Sequence, residues 1–341
     1  MIPRPGPTEA PADDARATAD PGASASPPSA PAFDGLLAVD KPVGITSHDA
    51  VVRVRRRLDS PGAGHLGTLD PGASGLLVVA LGAATRAIQA WQGGLKTYEA
   101  TMRLGVITRS QDLDGEVIEE REVDVDEAAI RDASRALVGE IEQTPPMVSA
   151  IKIGGRRLHQ LARRGIEVER PARRVRVVSW EWLSFAFPAV TFRVQCAAGT
   201  YVRTLAHDLG MALGTGAALQ SLRRLRSEPF DLRSAITLDD LDALPASEAL
   251  ARAGTPLDRA LEVLPAVKLD REAAAMVGAG GRPVVDPGSA PLAAGERSVV
   301  LRDAAGRSLA LGELRADPAE PGRVLACPRV VFPWAVRSGR P

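Results

Sequence analysis

Aromatic side chains are scarce: Trp, Tyr and Phe together make up 4% of the 341 residues. With 45% hydrophobic residues, the core must be built from Leu, Val and Ala. Cysteine is nearly absent. Cys196 and Cys327 are the only two, too few for a disulfide scaffold and in keeping with a reducing cytoplasm. Two cysteines and four histidines give no metal-ligand spacing, so no metal is expected. Long apolar runs are missing as well, and no membrane-spanning helix is expected. The first residues lack a charged stretch followed by an apolar one, so no signal peptide is expected. An excess of either charge is also missing, because 42 Lys and Arg balance 42 Asp and Glu. That balance argues against strong non-specific binding to polyanions, although a local basic face remains open. Gly210–Gly216 and Gly278–Gly281 fit neither a dinucleotide nor a phosphate-loop pattern, and there is no internal repeat.

What is present falls into segments. Residues 1–32 are Pro, Ala, Asp, Gly and Ser with hardly a large apolar side chain, the composition of a disordered extension. Leu36–Val39 reads as a short buried strand. Ser47 reads as the N-cap of a helix with Val51, Val54 and Leu58 on one face and Arg53, Arg55, Arg56 and Arg57 on the others. Thr85–Gln92 reads as helix. Thr97–Val106 alternates as a strand, with Tyr98, Ala100, Met102 and Leu104 sharing a face. Asp112-Leu113-Asp114-Gly115 reads as a turn, and Asp126 as a helix cap. Val175–Phe185 and Val190–Cys196 read as a hairpin, followed by a helix capped by Thr200. Residues 246–263 are Ala-rich and read as a linker with a helix in it. From residue 264 short β segments form a compact module.

Two features point to chemistry. Asp70 stands in Leu-Asp-Pro-Gly directly before the apolar run Leu76–Leu81. That tetrapeptide is ordinary turn chemistry, but a carboxylate before a buried strand is also fixed and partly desolvated, as a catalytic group must be. Arg203 falls in the first turn of a helix, where a cation opposes the helix dipole; a nearby carboxylate would compensate. Separately, nine basic residues lie between Lys152 and Arg176, against Glu167 and Glu169 alone. A solvated loop and a phosphate-contacting segment both fit that run.

Seven ordered motifs then give a family resemblance. They are Leu-Ala-Val-Asp-Lys-Pro-Val-Gly (37–44), Gly-His-Leu-Gly-Thr-Leu-Asp-Pro-Gly-Ala-Ser-Gly-Leu-Leu (64–77), Lys-Thr-Tyr (96–98) and Gln-Thr-Pro-Pro-Met-Val-Ser-Ala-Ile-Lys (143–152). Gly-Ile-Glu-Val-Glu-Arg (165–170), Gly-Thr-Tyr-Val-Arg-Thr-Leu (199–205) and Leu-Arg-Arg-Leu (222–225) complete the set. With these the chain resembles the bacterial tRNA pseudouridine synthases of the TruB type. The resemblance implies an α+β fold with a mixed, mainly antiparallel sheet, followed by a small β-rich PUA-like domain. It divides the chain into an extension (1–32), a catalytic domain (33–245) with an RNA-gripping insertion at about 140–176, a linker (246–263) and a C-terminal RNA-binding domain (264–341).

It further implies isomerisation of the uridine at tRNA position 55, in the T loop of the T arm, by a cytoplasmic, stand-alone monomer needing neither cofactor nor guide RNA. Asp70 would be the nucleophile, Arg203 its ion-pair partner, and Tyr98 the ring that stacks on the base and assists proton transfer. His65 would enter the vacated place in the RNA loop. Tyr201 and Leu222 would form pocket walls, with Lys41 shaping the site. Lys152, Arg163, Arg164, Arg173 and Arg174 would meet RNA. An RNA-guided synthase and a non-catalytic tRNA-binding or folding module are the alternatives. The chain departs from the family pattern at Leu66, where Thr, Ser or Ala is common, at Gly72 and in the extension.

Overall fold

The computed structural model describes residues 33–149, 152–153, 156–157, 166, 168–286 and 298–338. The site is carried by one sheet. In chain order its elements are β1 (Gly35–Lys41), α1 (Ser47–Arg57), β2 (Ala73–Leu81) and β3 (Lys96–Leu104). Then come α2 (Glu127–Ser134), β4 (Gly139–Gln143), β5 (Arg173–Ala186), β6 (Ala189–Cys196), α3 (Val202–Ala212) and β7 (Ala217–Ser227). Across the sheet the order is Ile236–Thr237, β1, β2, β7, β3, β6, β5, β4. Pairing is antiparallel except that β7 runs parallel to β2, and Ile236–Thr237 parallel to β1.

The hydrophobic pattern explains which faces are covered. On β3, Tyr98, Ala100, Met102 and Leu104 face Leu205 and Leu209 of α3 and Ile130 of α2. Here the expected alternation holds. From Leu76 to Leu81 β2 is apolar without interruption because both its faces are covered, as in strands that lie between layers. Leu77, Val79 and Leu81 pack on Ala50, Val51 and Val54 of α1. Leu76, Val78 and Ala80 pack on Ala84, Ala87 and Trp91 of the 3-10 segment Gly82–Trp91, which is tighter than the helix expected there. The few aromatics are concentrated: Trp180 stacks on Phe192 at 4.3 Å between ring centres, with Trp182 alongside.

Several expectations shift. α1 is capped by Thr46, not Ser47: Thr46 is extended and shares a reciprocal capping box with Asp49. α3 begins after Tyr201, and no side chain caps it; Thr200 does not take that role. β7, a central strand, was legible only as a basic stretch. Residues 246–263, expected as a linker with a helix in it, hold two helices, Ala246–Ala253 and Leu257–Ala260, and the strand Gly254–Pro256, which pairs antiparallel with Gly35–Leu37. Ala249, Ala253, Leu257 and Ala260 are buried there, so the segment belongs to the packed core. Beyond it lies a separate five-stranded sheet ordered Ala266–Lys268, Ser298–Arg302, Ser308–Ala316, Val324–Val331, Val284–Val285, with its own core around Val267, Leu301 and Ala310. Cys196 and Cys327 are free and buried. Among the described residues no helix is long and apolar enough to cross a membrane.

Candidate active site

The loop between His65 and Ala73 is held from three sides by buried donors. Ser47 Oγ accepts from the Leu69 amide at 2.8 Å and donates to the Leu69 carbonyl at 3.0 Å. Lys41, with no exposed surface, donates to the carbonyls of Pro42 (2.8 Å), Ile45 (2.9 Å) and Pro71 (3.5 Å). Arg224, 2% exposed, donates from Nε to Leu76 O at 2.7 Å and from its terminal nitrogens to Gly67 O (3.0 Å) and Thr68 O (3.4 Å). The Ala73 amide closes the turn on the Asp70 carbonyl at 3.0 Å. The turn reading of Leu-Asp-Pro-Gly therefore describes how Asp70 is presented. Gly75 is required where β2 meets β7: its φ is +99°, and a Cβ there would collide with the Arg224 carbonyl oxygen.

Arg203 is the centre of the charge arrangement. Its side chain is 4% exposed and pairs with Asp70 Oδ2 at 3.1 Å through one terminal nitrogen and with Asp112 Oδ2 at 3.3 Å through the other. The same nitrogens donate to the carbonyls of Val148 and Ser110, each at 2.8 Å. A guanidinium bound on both sides cannot swing, so it fixes the Asp70 carboxylate, which keeps 45% of its side-chain surface. Burial pushes the Asp112 carboxyl up, partly offset by the Ser110 hydroxyl and Arg203. Asp112 read as a turn residue in the sequence; no spacing marks it as a partner of Arg203.

Two clefts meet at Asp70, Arg203 and Leu222. One, of about 400 Å³, is lined by Tyr98, Tyr201, Thr68, Lys96 and Arg224. The other, of about 380 Å³, is lined by Ser110, Asp112, Asp114 and Gln220. Tyr98 is 8% exposed, and burial raises its hydroxyl above the usual phenol range, against the pull of Arg224. The Tyr201 backbone is clamped by Gln143, whose amide accepts from Tyr201 N at 3.0 Å and donates to Tyr201 O at 3.2 Å. Burial also raises the Tyr201 hydroxyl. Behind the loop, burial lowers Lys41 to about 8, against the nearby Asp70 charge.

The structure thus gathers Asp70, Arg203, Tyr98, Tyr201 and Leu222 around one cleft, with Lys41 beneath it. His65 stands apart on the short strand Ala63–His65, opposite Val79, and lines neither cleft. Burial, then Arg224 and His48, lower its pKa, and its Nδ1 is buried without a hydrogen-bond partner among the described residues. Arg173 and Arg174 are exposed at the start of β5. Lys152 lies on the strand Lys152–Ile153, which pairs with Arg156–Arg157, while Arg163 and Arg164 fall outside the described residues. On α1, Arg53 is occupied by Asp239 (2.9 Å) and Asp242 (2.7 Å).

The N-terminal domain of TruB family pseudouridylate synthase matches residues 55–202, and the tRNA pseudouridylate synthase B C-terminal domain matches residues 203–262. The chain is 52% identical over 239 residues to tRNA pseudouridine synthase B of Burkholderia mallei (strain NCTC 10247), covering 70% of this chain and 79% of that protein. The chain belongs to the TruB family of pseudouridylate synthases. To tRNA pseudouridine synthase B of Aromatoleum aromaticum it is 45% identical over 280 residues, 82% of this chain and 88% of the relative. Among solved structures it resembles a Cbf5–Nop10–Gar1 complex with a TM-score of 0.68 and 33% identity, covering 88% of this chain and 85% of that one. A second likeness, TM-score 0.64 at 28% identity, covers 89% of this chain and 91% of a chain in an H/ACA RNP bound to a substrate RNA containing 2′-deoxyuridine.

The enzyme is an isomerase that forms pseudouridine in tRNA. The boundary between its two matched segments falls within α3, so the first carries Asp70 and Tyr98 while the second carries Arg203 and β7. Neither segment holds the site alone.

Proposed function

We propose that this TruB family member isomerises the uridine at tRNA position 55, in the T loop of the T arm, as a monomer without a guide RNA, using Asp70 as nucleophile. The observation that carries the reading is the Asp70 carboxylate fixed at 3.1 Å by a buried arginine at the mouth of a cleft walled by two tyrosines. A base stacked in an RNA loop must leave the stack to reach it, at a cost of a few kcal/mol recovered from contacts with protein. Tyr98 and Tyr201 offer ring surfaces to the extruded uracil, and Leu222 closes the side next to Asp70.

In the reaction the N1–C1′ bond breaks, the uracil turns, and C5 bonds to C1′. The proton on C5 is lost and N1 gains one, so no atom is gained or lost overall. Asp70 supplies the nucleophile, and Arg203, locked by Asp112 and two carbonyls, holds the carboxylate in attacking position. Tyr98, lining the cleft, stacks on the base and assists proton transfer there. His65 fills the place left in the RNA loop. The basic run from Lys152 through Arg163, Arg164, Arg173 and Arg174 grips the backbone, and the C-terminal β domain, as a PUA-like module, contacts RNA further along.

The test uses recombinant enzyme and a T-arm stem-loop, with no guide RNA, and reads pseudouridine by nucleoside chromatography. Turnover by the wild type and none by Asp70→Asn, with RNA binding retained by both, is the expected result. Activity in Asp70→Asn defeats the nucleophile assignment, and dependence of the wild type on added guide RNA favours the RNA-guided reading.

A further inference from the structure

The Tyr98 cleft holds two cations with no carboxylate paired to either among the described residues. Lys96 is 8% exposed and Arg224 2% exposed, and both line the cleft. A Cβ on Gly67 would sit 3.7 Å from Lys96 Cε and 3.6 Å from a terminal nitrogen of Arg224, so both side chains converge on that glycine. Arg224 is satisfied by the Leu76 carbonyl on β2 and by the Gly67 and Thr68 carbonyls of the loop. Lys96 is less so: its ammonium reaches the carbonyls of Gln92 at 3.3 Å and Gly94 at 3.2 Å, both long, and an ammonium has three N–H donors. Burial and the neighbouring Arg224 lower its pKa below the usual lysine range. Uncompensated buried charge is costly, and here it stands two residues along the same strand face from Tyr98.

We propose that Lys96 is a catalytic residue that donates a hydrogen bond to a carbonyl oxygen of the bound uracil and stabilises the negative charge the ring acquires. The inference rests on the reading of this cleft as the uridine site. When N1–C1′ breaks, its electron pair leaves on the base and is shared over N1 and the ring carbonyl oxygens. If Asp70 adds to the ring first, charge again reaches a carbonyl oxygen. In either order a fixed ammonium opposite that oxygen stabilises the transition state more than the neutral ground state. No proton is transferred from Lys96, which keeps its charge throughout. A backbone phosphate could use the same charge, but the depth of Lys96 favours the inserted base over a chain that runs along the protein surface.

The test compares Lys96→Gln, which keeps two donors for the Gln92 and Gly94 carbonyls but drops the charge, with the wild type. It uses two T-arm stem-loops, one with uridine and one with 5-fluorouridine at the target. The fluorinated ring carries negative charge more readily and needs the cation less. The expected result is a single-turnover rate on uridine about 100-fold below the wild type, with RNA affinity within threefold and a gap of less than tenfold for consumption of 5-fluorouridine.

Equal losses on both substrates make Lys96 a tether for the Gln92–Gly94 turn and overturn the inference. A loss of affinity at unchanged rate assigns it to phosphate and does the same. Should Lys96→Gln fail to fold, Lys96→Met carries the same comparison; if neither folds, the lysine serves the fold and the inference falls. Because each variant is read against a wild type that is active on uridine, these outcomes are separable from failure of the site itself, which would leave the wild type inactive.

Discussion

Of the cations lining the Tyr98 cleft, Arg203 meets two carboxylates, whereas Lys96 and Arg224 meet none among the described residues. The difference separates two uses of buried charge. Paired charges hold a geometry, because each partner restricts the other. A cation balanced only by carbonyl dipoles leaves net positive potential in the cleft, available to an anion that forms there. This cleft has both: a carboxylate held in place by Arg203 and cations with no carboxylate beside them.

Removing the Asp70 carboxylate tests the paired charges most severely. Asp70→Asn is expected to reduce pseudouridine formation to background while tRNA still binds, read by nucleoside chromatography alongside a binding titration. Arg203→Gln frees Asp70 and leaves Asp112 without its cation; a rate loss of about 10³-fold is expected in single turnover. Asp112→Asn leaves the Asp70 pair intact and loosens only the far side of the guanidinium, so a smaller loss, about 10- to 100-fold, is expected. If Asp112→Asn costs as much as Arg203→Gln, the two carboxylates act as one unit and the ordering fails.

Gly75→Ala tests the close approach of β2 and β7 that positions Arg224. A methyl group there collides with the Arg224 backbone and strains a left-handed residue, and a loss of about 2–4 kcal/mol is expected in denaturant unfolding. Lys41→Met is a subtler probe. The folded lysine titrates near 8, below its ordinary 10.5. Between those values the unfolded chain binds the proton and the folded one does not, so this residue makes stability rise with pH across that window. The penalty is fully present below pH 8. Thermal unfolding from pH 7 to 10 should show that rise in the wild type and not in Lys41→Met.

The smallest effect on chemistry is expected from replacing Arg163, Arg164, Arg173 and Arg174 by Gln together. Binding weakens and its salt dependence flattens by about one unit for each phosphate no longer neutralised, while the rate at saturation stays near the wild type. An unchanged salt slope would return the segment to a solvated loop.

Much of the site was legible in the chain. Asp70, Tyr98 and Arg203 each sit in a motif, and the structure brings all three to one cleft. Asp112 and Arg224 were not legible. Asp112 looks like any turn aspartate, since what gives it a role is Arg203 on a distant helix. Arg224 looks like one more surface arginine in Leu-Arg-Arg-Leu, because a strand buried with its arginines does not show hydrophobic alternation. Lys96 lies within a motif yet carries no local sign that its charge is buried. In residues 246–263 the helix was legible but its burial was not: small alanines that suit a connecting helix also suit tight packing against β1.

The amino-acid order by itself determined the apolar faces of β2 and β3, the turn that presents Asp70, and the residue types the chemistry needs, because these depend on neighbours in the chain. Which charges are paired and which stand alone was decided only in the folded protein. Pairing depends on distances between side chains far apart in sequence, and those distances are set by the parallel seam of β2 and β7 and by where α3 packs on the sheet.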